Sequence, residues 1–413
     1  MSTQPGVQRM STVVLLATLD TKGYEAEFLR DRLLSHDVNV IVLDTGVFEP
    51  VALTPDVSRY SVADAAGAPL DLLARAGDRG NAVTAMGAGA AITAQRLHRE
   101  GRLDALLAIG GGGGSSIAAQ AMQSLPLGVP KLLVSTLASG DTRPYVGTLD
   151  VTLMHSVVDL SGINQISARI LSNAAAATAG MAKAPVPEIQ SRPVVAASMF
   201  GVTTDCVTRA QAELEKHGFE VLVFHQTGTG GQTMDELVSG GYVRGVLDVT
   251  TTELADELVG GVLPAHPARL RTAGPLGIPQ VVSLGALDMV NFGPKETVPD
   301  RFRGRTFYEH NPTVTLMRTT TEECAELGRR IATRLNESPD RTVVFVPLQG
   351  LSSIDREGQP FFAPDADAAL FGALREHLSP QVELHELDLH INDSAFAHAM
   401  VARLQQLIEG IVL

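Results

Sequence analysis

The chain has 413 residues, 45% of them hydrophobic and 19% charged, and a net charge of −14. That length exceeds one ordinary core and asks for two α/β domains, while the apolar share excludes a disordered chain. The acidic balance argues against a broad nucleic-acid surface, which needs a basic stripe, although a few backbone amides suffice to hold a nucleotide.

Aromatic residues make up only 4% and tryptophan is absent. Val, Leu, Ile and Ala therefore fill the core, as between parallel strands and their helices. Cys206 and Cys324 have no metal-ligand spacing and read as reduced core residues. No apolar run reaches the roughly 18 residues of a membrane span. Met1–Met10 lacks the features of a signal peptide, so the cytoplasm is the expected compartment and no membrane partner is expected.

In chain order, a buried strand, Val13–Ala17, leads into Thr18-Leu19-Asp20-Thr21-Lys22-Gly23, read as a loop. A helix over Tyr24–Ser35 and a strand over Val38–Leu43, ending in Asp44-Thr45-Gly46, complete a βαβ unit. A third strand, Ala105–Ile109, runs into Gly110, Gly111, Gly112, Gly113, Gly114, Ser115 and Ser116, with a helix over Ile117–Ser124. The strand Lys131–Ser135 ends in Thr136-Leu137-Ala138-Ser139-Gly140-Asp141. An acidic, histidine-bearing patch (Asp150–Asp159), an alanine-rich helix (Asn164–Ala182) and a proline-punctuated linker (Lys183–Glu188) follow. The helix also offers a face for packing against a second copy.

The second half repeats this rhythm. Val194–Ser198, Glu220–Phe224, Gly245–Thr250 and Pro279–Leu284 stand near the places of the first four strands, displaced by about 180 residues and drifting to about 140–150 past the glycine-rich region, as in an internal duplication. A last block adds a strand over Val343–Val346, a helix over Ala366–His377, a strand over Val382–Leu387 and a helix over Ser394–Ile408. The expected architecture is α/β, with two Rossmann-like doubly wound parallel sheets. The domains are expected at 1–183 and 184–413, the last helix able to pack back on the first.

The glycine run carries the strongest chemical signal. Glycines allow close approach and positive φ, and the following helix offers free N–H groups and a partial positive charge to a phosphate. Ser115 and Ser116 add hydroxyls. The run is neither a Walker A loop nor a spaced GxGxxG fingerprint, and a purely structural turn is the alternative. Lys22 suits a phosphate, and Asp20 and Thr21 suit ribose, magnesium or the loop itself; the alternative is a helix capped by Thr21. Asp44, Thr136, Ser139, Gly140 and Asp141 lie at neighbouring strand ends, where open α/β sheets place ligands.

In the second half, Asp288 and Asn291 follow a buried strand, and Arg318 with its threonines suits a carboxylate or phosphate clamp. Ser352, Asp355 and His390–Asp393 complete an expected second crevice. His225, His310, His385 and His390, with Asp248, Asp288 and Asp393, offer metal ligands without fixed spacing, so magnesium accompanying a nucleotide is the favoured metal. No GxSxG elbow supports a Ser-His-Asp hydrolase.

TLDTKG (Thr18–Gly23), GGGGS (Gly111–Ser115), LDMVNFG (Leu287–Gly293) and HNPTVTLMRTT (His310–Thr320) together span most of the chain. They resemble an uncharacterised family of bacteria, fungi and plants that includes the N-terminal domain of the tomato mosaic virus resistance protein. The resemblance implies two Rossmann-like subdomains, ATP held by the first, and a homodimer. Where a GSGGT-like loop is the family expectation, this chain has GGGGGSS.

The leading expectation is an ATP-binding protein of small-molecule metabolism, performing phosphoryl or nucleotidyl transfer or ligation of a small acid held near Arg318 and Asn291. Asp288 and His390 would stand beside that acid. The rivals are a non-catalytic ATP-binding regulatory module and an oxo-acid lyase or hydrolase with His310 or His390 as base.

Overall fold

A computed structural model describes residues 9–187 and 191–410, which form two compact units. In the first, the elements are β1 (Thr12–Ala17), α1 (Leu19–Leu34), β2 (Asn39–Asp44), α2 (Arg59–Ala65), α3 (Leu70–Ala76) and α4 (Arg79–Arg99). They continue with β3 (Ala105–Gly110), α5 (Gly112–Gln123), β4 (Lys131–Ser135), α6 (Arg143–Val146), β5 (Val151–His155) and α7 (Gln165–Lys183). The five strands pair in parallel in the order β2-β1-β3-β4-β5.

A central parallel strand is covered on both faces, so its apolar residues need not alternate with polar ones. β1 and β3 are buried throughout. Val13, Leu15, Leu107 and Ile109 pack with α1 and α7 residues such as Leu29, Leu33 and Leu171. Val14, Leu16, Leu106 and Ala108 face the other way, among Met86, Ala90, Ile117 and Met122 of α4 and α5. At the start of β4, the buried Lys131 ammonium donates to the carbonyls of Pro126 and Val129 and to Asp150, each at 2.8 Å.

Two local expectations change. The segment Thr18–Gly23 is not a loop: α1 starts at Leu19, and only Lys22 departs from helical angles (φ −126°, ψ 20°). The cause is Asp44, whose carboxylate accepts the Leu19 N–H at 3.1 Å and so caps the helix from the neighbouring strand; Thr21 is not the cap. The glycine run likewise passes straight from the end of β3 (Gly110) into the first turn of α5 (Gly112–Gly114), and none of its residues has positive φ. Its glycines serve closeness instead. A Cβ on Gly110 would lie 2.7 Å from the Gly114 backbone.

The second unit comprises β6 (Val194–Met199), α8 (Thr204–Lys216), β7 (Glu220–His225), α9 (Thr229–Ser239), β8 (Gly245–Thr250), α10 (Glu253–Val259) and β9 (Gln280–Gly285). After these come β10 (Met289–Phe292), β11 (Phe307–Asn311), β12 (Val314–Arg318), α11 (Thr321–Leu335), β13 (Thr342–Pro347), α12 (Pro364–His377), β14 (Glu383–Leu387) and α13 (Ser394–Glu409). Its parallel sheet has the order β14-β13-β9-β8-β6-β7. The first four strands of both units thus share one order. A separate antiparallel sheet, β10-β12-β11, is an addition that the alternation of strand and helix did not announce. α13 packs on α8 and β8 of its own unit.

A fully buried cation holds the centre of this unit. Arg269 pairs with Asp248 (2.7 Å) and Glu253 (3.0 Å) and donates to the Thr250 carbonyl (3.1 Å) and to Gln226 (3.2 Å). Removing one partner of such a cluster strands the others without counter-charge. Arg269→Met is expected to destabilise the unit by about 3–5 kcal/mol, read as a lower urea midpoint; an unchanged midpoint would show the cluster to be dispensable.

Candidate functional site

The chain runs from β1 outward to β2, then returns to lay β3 on the other side of β1. Such a reversal leaves a crevice at the carboxyl ends of the strands, the usual ligand position in open α/β sheets. A cleft of about 510 Å³ lies there. Its walls come from the end of β1 and start of α1 (Thr18, Asp20, Thr21, Lys22), the end of β2 (Thr45–Phe48), and the start of α5 (Gly111–Gly114). A further wall comes from α3 and α4, with Leu73, Ala74, Arg79, Val83 and Met86.

Gly112, Gly113 and Gly114 occupy the first turn of α5, where backbone N–H groups have no partner within the helix, and no side chain caps them. Gly111 and Gly112 leave open space: a Cβ on either would find its nearest neighbour 3.7 or 3.9 Å away. The Arg79 guanidinium stands beside Gly113, 3.5 Å from where its Cβ would be, and makes no hydrogen bond or ion pair with another described residue. Unfilled amides and an unpaired guanidinium therefore line the same cleft, the kinds of donor that an anion site would need.

The carboxylates have structural duties. Asp20 accepts the N–H groups of Val47 (3.0 Å) and Phe48 (3.1 Å), fixing the β2 exit that forms the cleft's lip. Asp44 is buried and accepts from Leu19 and Gly46; burial raises its carboxyl above the usual range. Its other oxygen, Oδ2, and the Thr45 hydroxyl are buried without a partner. Lys22 reaches the carbonyl of Leu160, a strap across the unit as well as part of the wall.

Other candidates lie outside these walls. The buried Ser115 hydroxyl bonds Ser135 (2.7 Å) and the Gly110 carbonyl, while Ser116 bonds back to the Gly112 carbonyl at 2.9 Å. Gly110 closes β3 beneath the helix start. Thr136 approaches Gly111 from β4, whereas Ser139 and Gly140 sit in the following turn and Asp141 pairs with Arg143 at 2.7 Å. Arg79 was the residue missed. The helix cap Asp78, which accepts from Asn81 at 3.0 Å, was its visible signal, ahead of the alanine-rich α4.

In the second unit the expected acid clamp is occupied by the protein itself. Buried Arg318 donates to Asp367 (2.6 Å), the Phe361 carbonyl (2.7 Å) and Thr319 (2.8 Å), with Asp355 at 3.7 Å. Asp288 accepts from Ser352 at 2.8 Å, and His390 lies 2.9 Å from the Ser352 carbonyl. These groups form one buried hub, in place of the open clamp expected around Arg318, Asp288 and His390. Asn291 lies apart, its amide N–H and side chain held by Asp256. His310 is exposed on β11, at a different crevice. Among the described residues, no three His, Cys, Asp or Glu side chains are grouped to hold a metal ion, and no helix is long and apolar enough to cross a membrane.

Two doubly wound parallel-sheet units, the first with an open cleft at its switch point, define a Rossmann-like two-part α/β protein. Within that class the chain belongs to the uncharacterised protein family UPF0261. The family's N-terminal domain matches residues 11–187 and its C-terminal domain residues 192–408. A UPF0261 protein of Clostridium tetani is 49% identical over 399 residues, covering 96% of this chain and 99% of that one. A UPF0261 protein of Mesorhizobium japonicum is 45% identical over 395 residues, or 95% and 98% of the two chains. The ToMV resistance protein Tm-1(GCR237) of Solanum lycopersicum is 44% identical over 310 residues, which are 73% of this chain and 41% of that protein.

Three carboxyls crowd the single guanidinium of Arg318, and burial raises each above the ordinary carboxylate range. Burial first, then the neighbouring Asp355, pushes Asp367 up to about 7; burial and the Asp355 charge also raise Asp288. A folded pKa above the unfolded one stabilises the fold below the ordinary value of 3.8, a contribution lost as pH rises through about 7. The melting temperature is therefore expected to fall as pH rises from about 4 to about 7 and to level off above that, and Asp367→Asn, which keeps an oxygen for Arg318, to flatten that fall. Identical pH profiles for the two proteins would contradict this assignment.

Proposed function

We propose that the first unit binds a nucleotide, its phosphates on the amides of Gly112, Gly113 and Gly114 and its base along Leu73, Ala74, Val83 and Met86. The observation that carries this reading is the meeting of uncapped helix amides with the unpaired Arg79 guanidinium in one cleft. The cleft's volume of about 510 Å³ lies within the range of small-molecule pockets. Its apolar wall suits a planar base better than a bare anion, and Phe48, 61% exposed on the lip, adds an aromatic face.

ATP with Mg2+ is the finer reading, supported by the family resemblance. Magnesium would be carried mainly by phosphate oxygens and water, needing few protein ligands, and Asp20 and Asp159 are the wall carboxylates suited to supply one. The protein's own share is to present amides, a guanidinium and a dry wall in fixed positions. A small-molecule transfer or ligation reaction is the activity such a site would serve.

Calorimetry with ATP and magnesium should give saturable binding that Arg79→Ala and Gly112→Val each weaken by about tenfold or more. The space around Gly112 accommodates the added Cβ, so this variant should keep its fold, checked by circular dichroism. Unchanged affinity in both variants would sink the proposal. Tripolyphosphate binding as tightly as ATP would retain the anion site but remove the base from it.

A further inference from the structure

The second unit has a crevice of its own, about 300 Å³, at the carboxyl ends of β6 and β7. Phe200, just past β6, stacks on the imidazole of His225, the last residue of β7, with ring centroids 5.1 Å apart and planes at 27°. The opposite wall is the β11–β12 hairpin, which contributes His310, Asn311, Val314 and Leu316. No Asp, Glu, Lys or Arg is among the lining residues.

The polar side chains of His225, His310 and Asn311 are exposed at this crevice and leave donors unengaged by the other described residues. His266, His385 and His398 are paired with Asp235, Glu383 and Glu213, and both ring nitrogens of His390 have partners. The ring nitrogens of His225 and His310 have no hydrogen-bond partner among the described residues. The side-chain oxygen of Asn311 accepts from Thr313, leaving its amide N–H groups without an acceptor among those residues. The Thr227 hydroxyl, donating to the His225 carbonyl at 3.4 Å, keeps its lone pairs free. Free donors therefore outnumber engaged ones, and no carboxylate competes for them. Beside them lie a flat aromatic platform and aliphatic walls.

We infer that this crevice binds a small planar organic carboxylate, its body on the Phe200–His225 stack and its oxygens accepting from His225, His310 and Asn311. A cationic ligand would find no carboxylate here; a singly charged carboxylate needs fewer donors than a phosphate, for which the crevice has no guanidinium, ammonium or uncapped amide row such as the first unit offers. The inference is independent of nucleotide binding in the first unit, and its test uses no nucleotide.

The full chain, titrated with benzoate by ligand-detected NMR, should bind it saturably, and bind neutral benzamide about tenfold more weakly. His310→Ala removes an exposed side chain, while His225→Phe keeps the ring platform and removes its donor; each should weaken benzoate by about tenfold. Arg79→Ala, in the other unit, should leave benzoate binding unchanged. The proposal is overturned if benzoate does not saturate, if benzamide binds as well, or if both histidine variants bind benzoate like the native chain.

Discussion

The first turn of a helix leaves its N–H groups without partners, and a buried parallel sheet delivers several such turns to one edge. How each is satisfied decides what the edge can do. In the second unit, Glu253 opens the helix after β8, and its carboxylate accepts the N–H groups of Gly228 and Gly231 at the start of α9. Arg269 then neutralises it. The edge is closed by the protein's own charges. In the first unit the helix after β3 opens on Gly112, which has no side chain to turn inward, and the amides stay open. One shared strand order thus carries a carboxylate-capped helix start at α9 in the second unit and an uncapped glycine start at α5 in the first.

That contrast also orders the charged residues. Asp20 and Asp44 shape the open cleft by holding backbone amides of its walls, leaving Arg79 as the free charge beside the glycines. The second unit buries more charge, in the Arg269 and Arg318 clusters. Buried ion clusters are weak evidence of stability but define a single arrangement when every partner is present. Around Arg318 the carboxyls outnumber the guanidinium, and burial with mutual charge raises Asp288 and Asp367 above the range of exposed carboxyls.

Much of the frame was legible from residue order. Apolar runs such as Val13–Ala17 and Ala105–Ile109 must be buried strands, and their repetition about 180 and 140 residues later marked a second sheet. Less legible were features set by distant partners. Thr18 and the first-turn Asp20 are only weak signs of a helix start at Leu19, whose N–H is held by Asp44, 25 positions away. The glycines suggested positive φ, but the constraint on Gly110 is contact with the next turn. Arg318 read as a ligand clamp because its partners, Asp355 and Asp367, come from segments far along the chain. Arg79 lacked any motif; only the fold brings α4 beside α5.

Lys131 adds a last consequence. Its ammonium, sealed below β4 by three oxygens, fastens the edge of the sheet opposite the cleft. The strand's buried end is thus pinned by charge, while its far end is left to border the cleft: one strand serves as an anchor at its start and as scaffolding for a hollow at its finish.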